Sequence, residues 1–220
     1  MKKIKIEEKD KWMKFIMNEA RYELFDDCNG GLCVDAGCNI GDFAMNHGDR
    51  FDKYVCYDVL EENVNDCIKN TKNLGVEIEV HKLAVWSESD TSINVMAYEP
   101  WDTKDLQHFG NSGNIGCIEH TGIKGEGWKP ENVIDLTRTI SIDSIIEKYG
   151  TINLLKVDVE CSEYEFLLGK DLSKVNYIVG ECHIMFPEKQ KELIDWISNT
   201  HEFVGVLENG SLGPFKLKGL

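Results

Sequence analysis

The chain has 220 residues, of which 42% are hydrophobic and 29% charged, so it can bury one sizeable core. Its formal net charge is −15 and its basic residues are scattered, which disfavours nucleic acid as a partner. No apolar run is long enough to span a membrane, and the first twelve residues lack a signal-peptide core. We therefore expect a cytoplasmic protein with reduced cysteines and a single domain over residues 1–220.

The predicted elements alternate along the chain. An amphipathic pattern over residues 11–25 predicts a helix at one edge of the domain, and Asn29-Gly30-Gly31 ends it. After that point, apolar strand-like runs alternate with helical patterns, which indicates parallel β-α-β units in a doubly wound, mostly parallel α/β sheet. The predicted strands are 32–36, 53–58, 77–85, 152–158 and 177–183, and the predicted helices are 40–48, 61–73, 142–149, 162–169 and 187–199.

Two segments depart from this alternation. Residues 99–134 are rich in Gly, Asn, Asp and Trp and follow a short predicted strand at 92–98, so we interpret them as an insertion over the active site. Near the end of the chain, Asn209-Gly210 separates two strand-like runs, which is a strong hairpin signal. The prediction is a seven-stranded, Rossmann-like sheet that ends in a C-terminal antiparallel hairpin.

The segment VDAGCNIG, at the turn from the first strand into the first helix, predicts a ligand site at the carboxyl edge of the sheet. Gly37 and Gly41 would let a ligand approach the backbone, although a tight strand-to-helix turn also needs glycine for steric reasons. Asp35 can orient the loop or meet a cationic group. Asn39 stands where the dinucleotide fingerprint has its middle glycine, which weakens the interpretation as a pyrophosphate site.

Asp58 ends the second predicted strand, where an acid accepts hydrogen bonds from both ribose hydroxyls of an adenosine. The alternative is that Asp58 caps the helix at 61–73. Ala84 and Val85, at the end of the third strand, would flank an adenine, and Trp86 either stacks nearby or packs in the core. The predicted cofactor-binding residues are Asp35, Gly37, Cys38, Asn39, Gly41, Asp58, Ala84 and Val85.

The combined motifs VDAGCNIGDFA, YDVLEEN, LAVWSES and ISIDSIIEKYGTINLLKVDVECSEYEFLLG resemble the FkbM family of S-adenosylmethionine-dependent methyltransferases. The resemblance covers about residues 32–183, and its most specific part is SIDSII followed by LLKVDVE and EYEFLLG. The family usually has Gly-Ala where this chain has Cys161-Ser162, and Ala where it has Cys38. The resemblance implies a class I methyltransferase fold, S-adenosyl-L-methionine as cofactor, and O-methylation, often of sugar or polyketide-type hydroxyls.

Methyl transfer to oxygen requires an acceptor held in line with the methyl group and relieved of its proton. Asp158 ends the fourth predicted strand, and Glu181 and His183 lie two apart on the fifth, so they should share one face. His183 is the predicted general base, because its ordinary pKa is near neutrality. Asp158 and Glu181 could orient it, bind the acceptor or hold Mg²⁺ or Mn²⁺. Glu160 is either a further catalytic acid or a cap for the helix at 162–169.

The acceptor class follows partly from what the chain lacks. Amino-directed nucleic-acid methyltransferases resemble one another in an Asn/Asp-Pro-Pro-aromatic motif after the fourth strand, whereas this chain has Asp158-Val159-Glu160. Together with the acidic composition, this disfavours DNA or RNA bases, and the resemblance to the FkbM family implies a small-molecule or glycan hydroxyl as the acceptor. Two alternatives stay open, an NAD-dependent oxidoreductase and an adenosyl-binding module without turnover, as do the metal and the oligomeric state.

Overall fold

The computed structural model describes residues 24, 26–97, 115–116, 133–160, 162–183, 187–203 and 212–220. The strands are β1 (Leu32–Ala36), β2 (Lys53–Asp58), β3 (Glu77–Lys82), β4 (Ala84–Val85), β5 (Ser92–Ala97), β6 (Ile115–Gly116), β7 (Val133–Ile140), β8 (Ile152–Val157), β9 (Val175–Gly180), β10 (His201–Phe203) and β11 (Phe215–Leu217). The helices are α1 (Asp42–His47), α2 (Glu61–Thr71), α3 (Ile142–Tyr149), α4 (Glu163–Leu167) and α5 (Pro187–Ile197).

Seven strands form the main sheet in the order β10-β11-β9-β8-β1-β2-β3. The pairs β1–β2, β2–β3, β1–β8 and β8–β9 are parallel, whereas β11 is antiparallel to both β9 and β10. The structure therefore confirms the predicted mostly parallel, doubly wound sheet with an antiparallel C-terminal hairpin. The order also places the carboxyl ends of β1, β2, β8 and β9 along one edge.

The central strands are apolar on both faces because each face packs into its own core. Val34 of β1 and Leu155 of β8 belong to one buried cluster, whereas their neighbours Cys33 and Leu154 belong to a second cluster on the opposite face. All five residues of β1 are buried. A strand covered on both sides has no polar face, which explains the continuous apolar runs of the sequence.

A second, four-stranded sheet has the order β4-β7-β5-β6, with β4 parallel to β7 and β5 antiparallel to both its neighbours. The single strand predicted at 77–85 is wrong, because the chain leaves the main sheet at Leu83 and β4 pairs with β7 instead. The sequence also missed β7. Its Leu136 is 63% exposed while Thr137 and Thr139 are buried, so the apolar pattern that reveals most strands is inverted there.

Two predicted elements are shorter in the structure, and three predicted features lie wholly or mostly outside the described residues. The fifth strand of the prediction ends at Gly180 rather than 183, and the helix predicted at 162–169 is limited to α4. The predicted helix over 11–25, the Asn209-Gly210 turn and most of the 99–134 insertion lie outside the described residues. Among the helices that the structure describes, none combines the length and the apolar character that crossing a bilayer requires.

Candidate functional site

The glycine loop after β1 packs directly against the rest of the protein. Gly37 and Gly41 have φ angles of 78° and 86°, which L side chains rarely adopt. A Cβ at Gly37 would lie 1.7 Å from the carbonyl oxygen of Asp158, and one at Gly41 would lie 2.9 Å from Sγ of Cys67. The steric explanation for both glycines is therefore sufficient, and close approach of a ligand to their backbone stays a prediction.

Asp58 joins the glycine loop to the start of α2. Its Oδ2 accepts a hydrogen bond from the backbone N–H of Asn39 at 3.0 Å, and its Oδ1 accepts from Leu60 N–H at 2.9 Å and from Asn63 Nδ2 at 3.1 Å. Burial raises the pKa of Asp58 to about 6, against the opposing effect of these hydrogen bonds. A carboxylate has about four acceptor positions, so Oδ2 retains capacity for one ribose hydroxyl.

The loop also carries a polar atom that suits a ligand. The side-chain oxygen Oδ1 of Asn39 is buried and has no hydrogen-bond partner among the described residues, and Asn39 itself adopts a φ of 48°. Cys38 beside it is fully buried. Buried polar atoms are almost always paired in folded proteins, so an orphaned acceptor next to Asp58 fits an adenosyl group at this edge.

Ala84 and Val85 lie in β4, and both side chains are buried in apolar clusters. Leu83, just before them, donates its backbone N–H to the carbonyl oxygen of Asp58 at 3.0 Å, so β4 begins beside the predicted ribose site. Trp86 packs with Ala84 and Ile93 and is 7% exposed, which favours the interpretation of Trp86 as a core residue.

Asp35 meets a cationic group that the sequence analysis did not single out. The Nζ of Lys156, on β8, lies 3.1 Å from Oδ1 of Asp35 and donates a hydrogen bond of 2.6 Å to the carbonyl oxygen of Gly37. Asp35 is fully buried and Lys156 is 3% exposed. Burial raises the pKa of Asp35 to about 6, while Lys156 acts in the opposite direction. The lysine therefore holds both the first strand and the glycine loop.

Asp158, Glu160, Glu163, Glu181 and His183, here called the acid–histidine cluster, meet beyond the ends of β8 and β9. Nδ1 of His183 lies 2.9 Å from Oε1 of Glu163. Its Nε2 lies 3.2 Å from Oε2 of Glu181, 3.7 Å from Oε2 of Glu160 and 3.9 Å from Oδ1 of Asp158. Four carboxyl groups thus surround one imidazole.

These contacts change the protonation expected of His183. Burial alone lowers the pKa of the imidazole, but its contacts with Glu163 and Glu181 outweigh that effect and raise the pKa to about 12. The imidazole is then charged at neutral pH and has no free lone pair, which argues against its predicted role as the general base. Burial raises the pKa of Glu160 to about 8, against the opposing charge of His183.

Some details of the predicted catalytic site need correction. Glu181 and His183 do not share a strand face, because β9 ends at Gly180 and both residues lie beyond it. They still approach each other, with Nε2 of His183 3.2 Å from Oε2 of Glu181. Glu160 does not cap α4, whose N-cap residue is Ser162, and its carboxylate faces His183 instead.

The contacts of Glu163 and Lys156 were not predicted from the sequence. Glu163 looks like an ordinary acid in the first turn of a helix, yet it is fully buried and contacts His183. Lys156 is a charged residue between the apolar residues Leu155 and Val157 of the strand INLLKV, and this interruption is the signal that could have revealed it. Glu163 lies 20 positions from His183, and Lys156 lies more than a hundred positions from Asp35, so neither contact is visible in the local sequence.

A third group of reactive side chains lies behind the glycine loop. The thiols of Cys38, Cys56 and Cys67 lie within 4.8 Å of one another, and all three residues are fully buried. They belong to an apolar cluster with Phe43 and Tyr54. Buried free cysteines behave as small hydrophobic residues, so this thiol group forms part of the core.

The profile of the family described as "Methyltransferase FkbM domain" matches residues 35–206. Solved structures with a similar chain trace include M. capricolum TrmK in complex with S-adenosyl-homocysteine, at 9% identity, 93% coverage of this chain, 68% of the other and a TM-score of 0.46. Streptococcus pneumoniae Sp1610 matches at 10% identity, with coverages of 93% and 68% and a TM-score of 0.45. The ribosomal protein L11 methylase of Lactobacillus delbrueckii subsp. bulgaricus matches at 9% identity, with coverages of 94% of this chain and 75% of the other and a TM-score of 0.40. No curated protein matches the chain.

Proposed function

The chain belongs to the FkbM methyltransferase family and uses S-adenosylmethionine as its methyl donor, and we propose that it methylates a hydroxyl oxygen of a sugar or glycan. One observation supports this proposal above the others. The acid–histidine cluster lies directly beside the glycine loop, because the backbone of Asp158 packs on Gly37. The groups that can bind a hydroxyl and those that can bind the donor therefore share one edge of the sheet.

The donor side offers the groups that an adenosyl sulfonium needs. Asp58 retains one acceptor position for a ribose hydroxyl, and Asn39 offers an unpaired buried oxygen. When bound, S-adenosylmethionine supplies a methyl group already activated by the positive charge on sulfur. The protein has only to hold the acceptor oxygen in line and remove its proton.

On the acceptor side, we assign Asp158 to bind the acceptor hydroxyl and take its proton. Asp158 is adjacent to the loop, and its side chain is 28% exposed, so a substrate can reach it. Glu160, Glu181 and His183 surround it and hold the acceptor in place. Carboxylates accept hydrogen bonds from neighbouring hydroxyls, which suits a polyhydroxylated acceptor and repels a phosphate backbone.

Transfer of a labelled methyl group from S-adenosylmethionine to a panel of monosaccharides, glycans and small hydroxylated compounds tests the proposal. Asp158→Asn and His183→Gln should each lower turnover at least tenfold, about 1.4 kcal/mol of barrier, and leave S-adenosylhomocysteine affinity within twofold. The matched control is Glu147→Gln, an exposed acid on α3, which should change neither. If either cluster variant stays folded and loses donor binding, the assignment of roles is wrong.

Two other functions use the same fold. An NAD-dependent oxidoreductase is disfavoured because Asn39 replaces the middle glycine of the dinucleotide fingerprint. Thermal-shift titration distinguishes the oxidoreductase from the proposed methyltransferase. For a methyltransferase, S-adenosylhomocysteine should raise the melting temperature and NAD should not. A non-catalytic adenosyl-binding module would bind the donor yet transfer no methyl group to any acceptor in the panel.

We also propose that the protein works in a reducing compartment, the cytoplasm. Cys28, Cys33, Cys38, Cys56, Cys67 and Cys182 are free and buried in the described part of the chain. Alkylation of the thiols in a denaturing lysis buffer, followed by peptide mass spectrometry, should find these six cysteines alkylated and therefore reduced in the cell. A disulfide among them would contradict this location.

A further inference from the structure

We infer that the acid–histidine cluster binds one divalent cation, best matched by Mn²⁺, through Asp158, Glu160 and Nε2 of His183, with Glu163 as a positioning residue. The inference deepens the proposed function, since it assigns the cation to the acceptor side of the same site. It does not depend on which acceptor is methylated.

The distances between donor atoms fit a single ion. Ligands about 2.1 Å from a six-coordinate ion lie about 3.0 to 4.2 Å from one another, depending on their angle at the metal. Nε2 of His183 lies 3.7 Å from Oε2 of Glu160 and 3.9 Å from Oδ1 of Asp158. One oxygen or nitrogen from each of the three residues lies within 4.8 Å of the others. Glu181, at 3.2 Å from Nε2, can supply a fourth ligand.

The contact on the other side of the imidazole is typical of a metal-bound histidine. A ligating histidine usually donates its second ring N–H to a carboxylate, which fixes the tautomer and the ring orientation. Nδ1 of His183 makes this contact with Glu163 at 2.9 Å, which leaves Nε2 facing the other carboxylates. A cation bound there would take the place of the Nε2 proton, because a ligating imidazole nitrogen must be deprotonated. Glu163 is fully buried, and its second oxygen, Oε2, has no hydrogen-bond partner among the described residues. Burying an ionised carboxylate with one unpaired oxygen costs free energy of folding unless a positive charge lies nearby.

The excess of acidic groups in the acid–histidine cluster also favours a bound cation. Four carboxyl groups face one imidazole, and the ammonium of Lys156, 3.6 Å from Asp158, is shared with buried Asp35. A divalent cation would offset this excess of acidic groups. The side chains of Asp158, Glu160 and His183 are 24–28% exposed, so an ion can enter from solvent.

The mixed ligand set selects among cations. Mg²⁺ prefers oxygen ligands alone, whereas imidazole suits later transition metals and carboxylates suit Mn²⁺. One imidazole with two or three carboxylates therefore favours Mn²⁺ over Mg²⁺. A cation at this position would polarise an acceptor hydroxyl and make it more acidic, which is the task of this side of the site.

The buried thiol group of Cys38, Cys56 and Cys67 is the other place in the described chain where three metal ligands converge. Thiolates select soft ions such as Zn²⁺ or Cu⁺, and Mn²⁺ prefers oxygen. Mn²⁺ is therefore the probe that separates the two places, and a cysteine variant is the control.

The experiment titrates chelator-treated, full-length protein with MnCl₂ and measures free Mn²⁺ by its electron paramagnetic resonance signal. We expect one Mn²⁺ per chain. Asp158→Asn, Glu160→Gln and His183→Gln should each weaken binding at least tenfold. Glu163→Gln should weaken it about tenfold without changing the stoichiometry, because it leaves the ligands intact but removes the charge behind His183. Mg²⁺ should compete only at more than tenfold excess.

Glu147→Gln and Cys67→Ser are the controls, and both should bind Mn²⁺ as the unmodified chain does. Binding of S-adenosylhomocysteine and circular dichroism establish that each variant is folded. If the folded protein binds S-adenosylhomocysteine but no Mn²⁺, or if only Cys67→Ser loses the ion, the inference is overturned. If Mn²⁺ binds as expected and no hydroxyl acceptor is ever methylated, the proposed function fails while the cation site stands.

Discussion

The donor and acceptor sides of the site are built in opposite ways. On the donor side, Asp58 is bonded to groups from Asn39, Leu60 and Asn63, so its carboxylate is already held by the loop and by the start of α2. On the acceptor side, the described residues place four carboxyl groups around the single imidazole of His183. Asp58, on the proposed donor side, is thus held by the protein itself, whereas the proposed acceptor side gathers carboxyl groups that a cation or a substrate would pair with.

The two sides are joined at one point. The carbonyl of Asp158 packs on Gly37, and Lys156 contacts Gly37, Asp35 and Asp158. Changes at Gly37 or Lys156 should therefore disturb both sides, whereas a change of the Asp158 side chain or of residues further out should affect only one.

The largest expected effect is that of Gly37→Ala. Its Cβ would lie 1.7 Å from the carbonyl oxygen of Asp158, so the free energy of unfolding should fall by about 4 kcal/mol or more. Both donor binding and Mn²⁺ binding should then fail. Gly75→Ala is the matched control. Gly75 has nearly the same φ, 77°, and a Cβ there has no neighbour within 4 Å, so it should cost about 1 kcal/mol. Denaturant unfolding measures both, and equal losses would show that the packing on Asp158 is unimportant.

Lys156→Met should have the next largest effect. Removing the ammonium leaves buried Asp35 without its charge partner, which costs about 3–5 kcal/mol in comparable buried pairs. The double variant Asp35→Asn/Lys156→Met removes both charges and should recover more than half of that loss. Denaturant unfolding of the two single variants and the double variant gives the coupling energy. A coupling near zero would mean that the ion pair does not hold the junction.

Asp42 is the first residue of α1 and directly follows Gly41 of the glycine loop. The stability of Asp42→Asn should depend on pH differently from that of the unmodified chain. Burial raises the pKa of Asp42 to about 7 in the folded chain, so ionising this group costs stability as pH rises from its unfolded pKa of 3.8 through about 7. Asparagine carries no such cost. The stability of Asp42→Asn relative to the unmodified chain should therefore improve by roughly 2 kcal/mol between about pH 5 and pH 8. Urea unfolding at both pH values tests this, and a constant difference would contradict it.

Asp58→Ala should have the smallest effect of the four, and it should weaken only the binding of the donor. S-adenosylhomocysteine affinity should fall at least tenfold, about 1.4 kcal/mol, with Mn²⁺ binding unchanged. Because the pKa of Asp58 is about 6, affinity in the unmodified chain should also weaken as pH falls through that value, when the carboxylate becomes protonated. Isothermal titration calorimetry measures both effects, with exposed Glu62→Gln as the control. Unchanged affinity in Asp58→Ala would leave Asp58 as a structural residue of α2 alone.

The sequence by itself determined the alternation of strands and helices, the parallel sheet, the glycine loop and the acid at position 58. These features depend on contiguous residues, because a buried central strand needs an apolar run and a tight turn needs glycine wherever the chain folds. The FkbM family was likewise readable, since its motifs are local.

Only the tertiary structure decided which side chains meet. Lys156 and Asp35 are more than a hundred positions apart, and β4 pairs with residues of β7 that lie 55 positions further along the chain. No local pattern records such contacts. His183 shows the consequence most clearly. Its sequence position suggested a base, but Glu163 and Glu181 reach it from two different segments and stabilise the imidazolium. A side chain's charge state depends on the groups around it in space, and the fold alone supplies them.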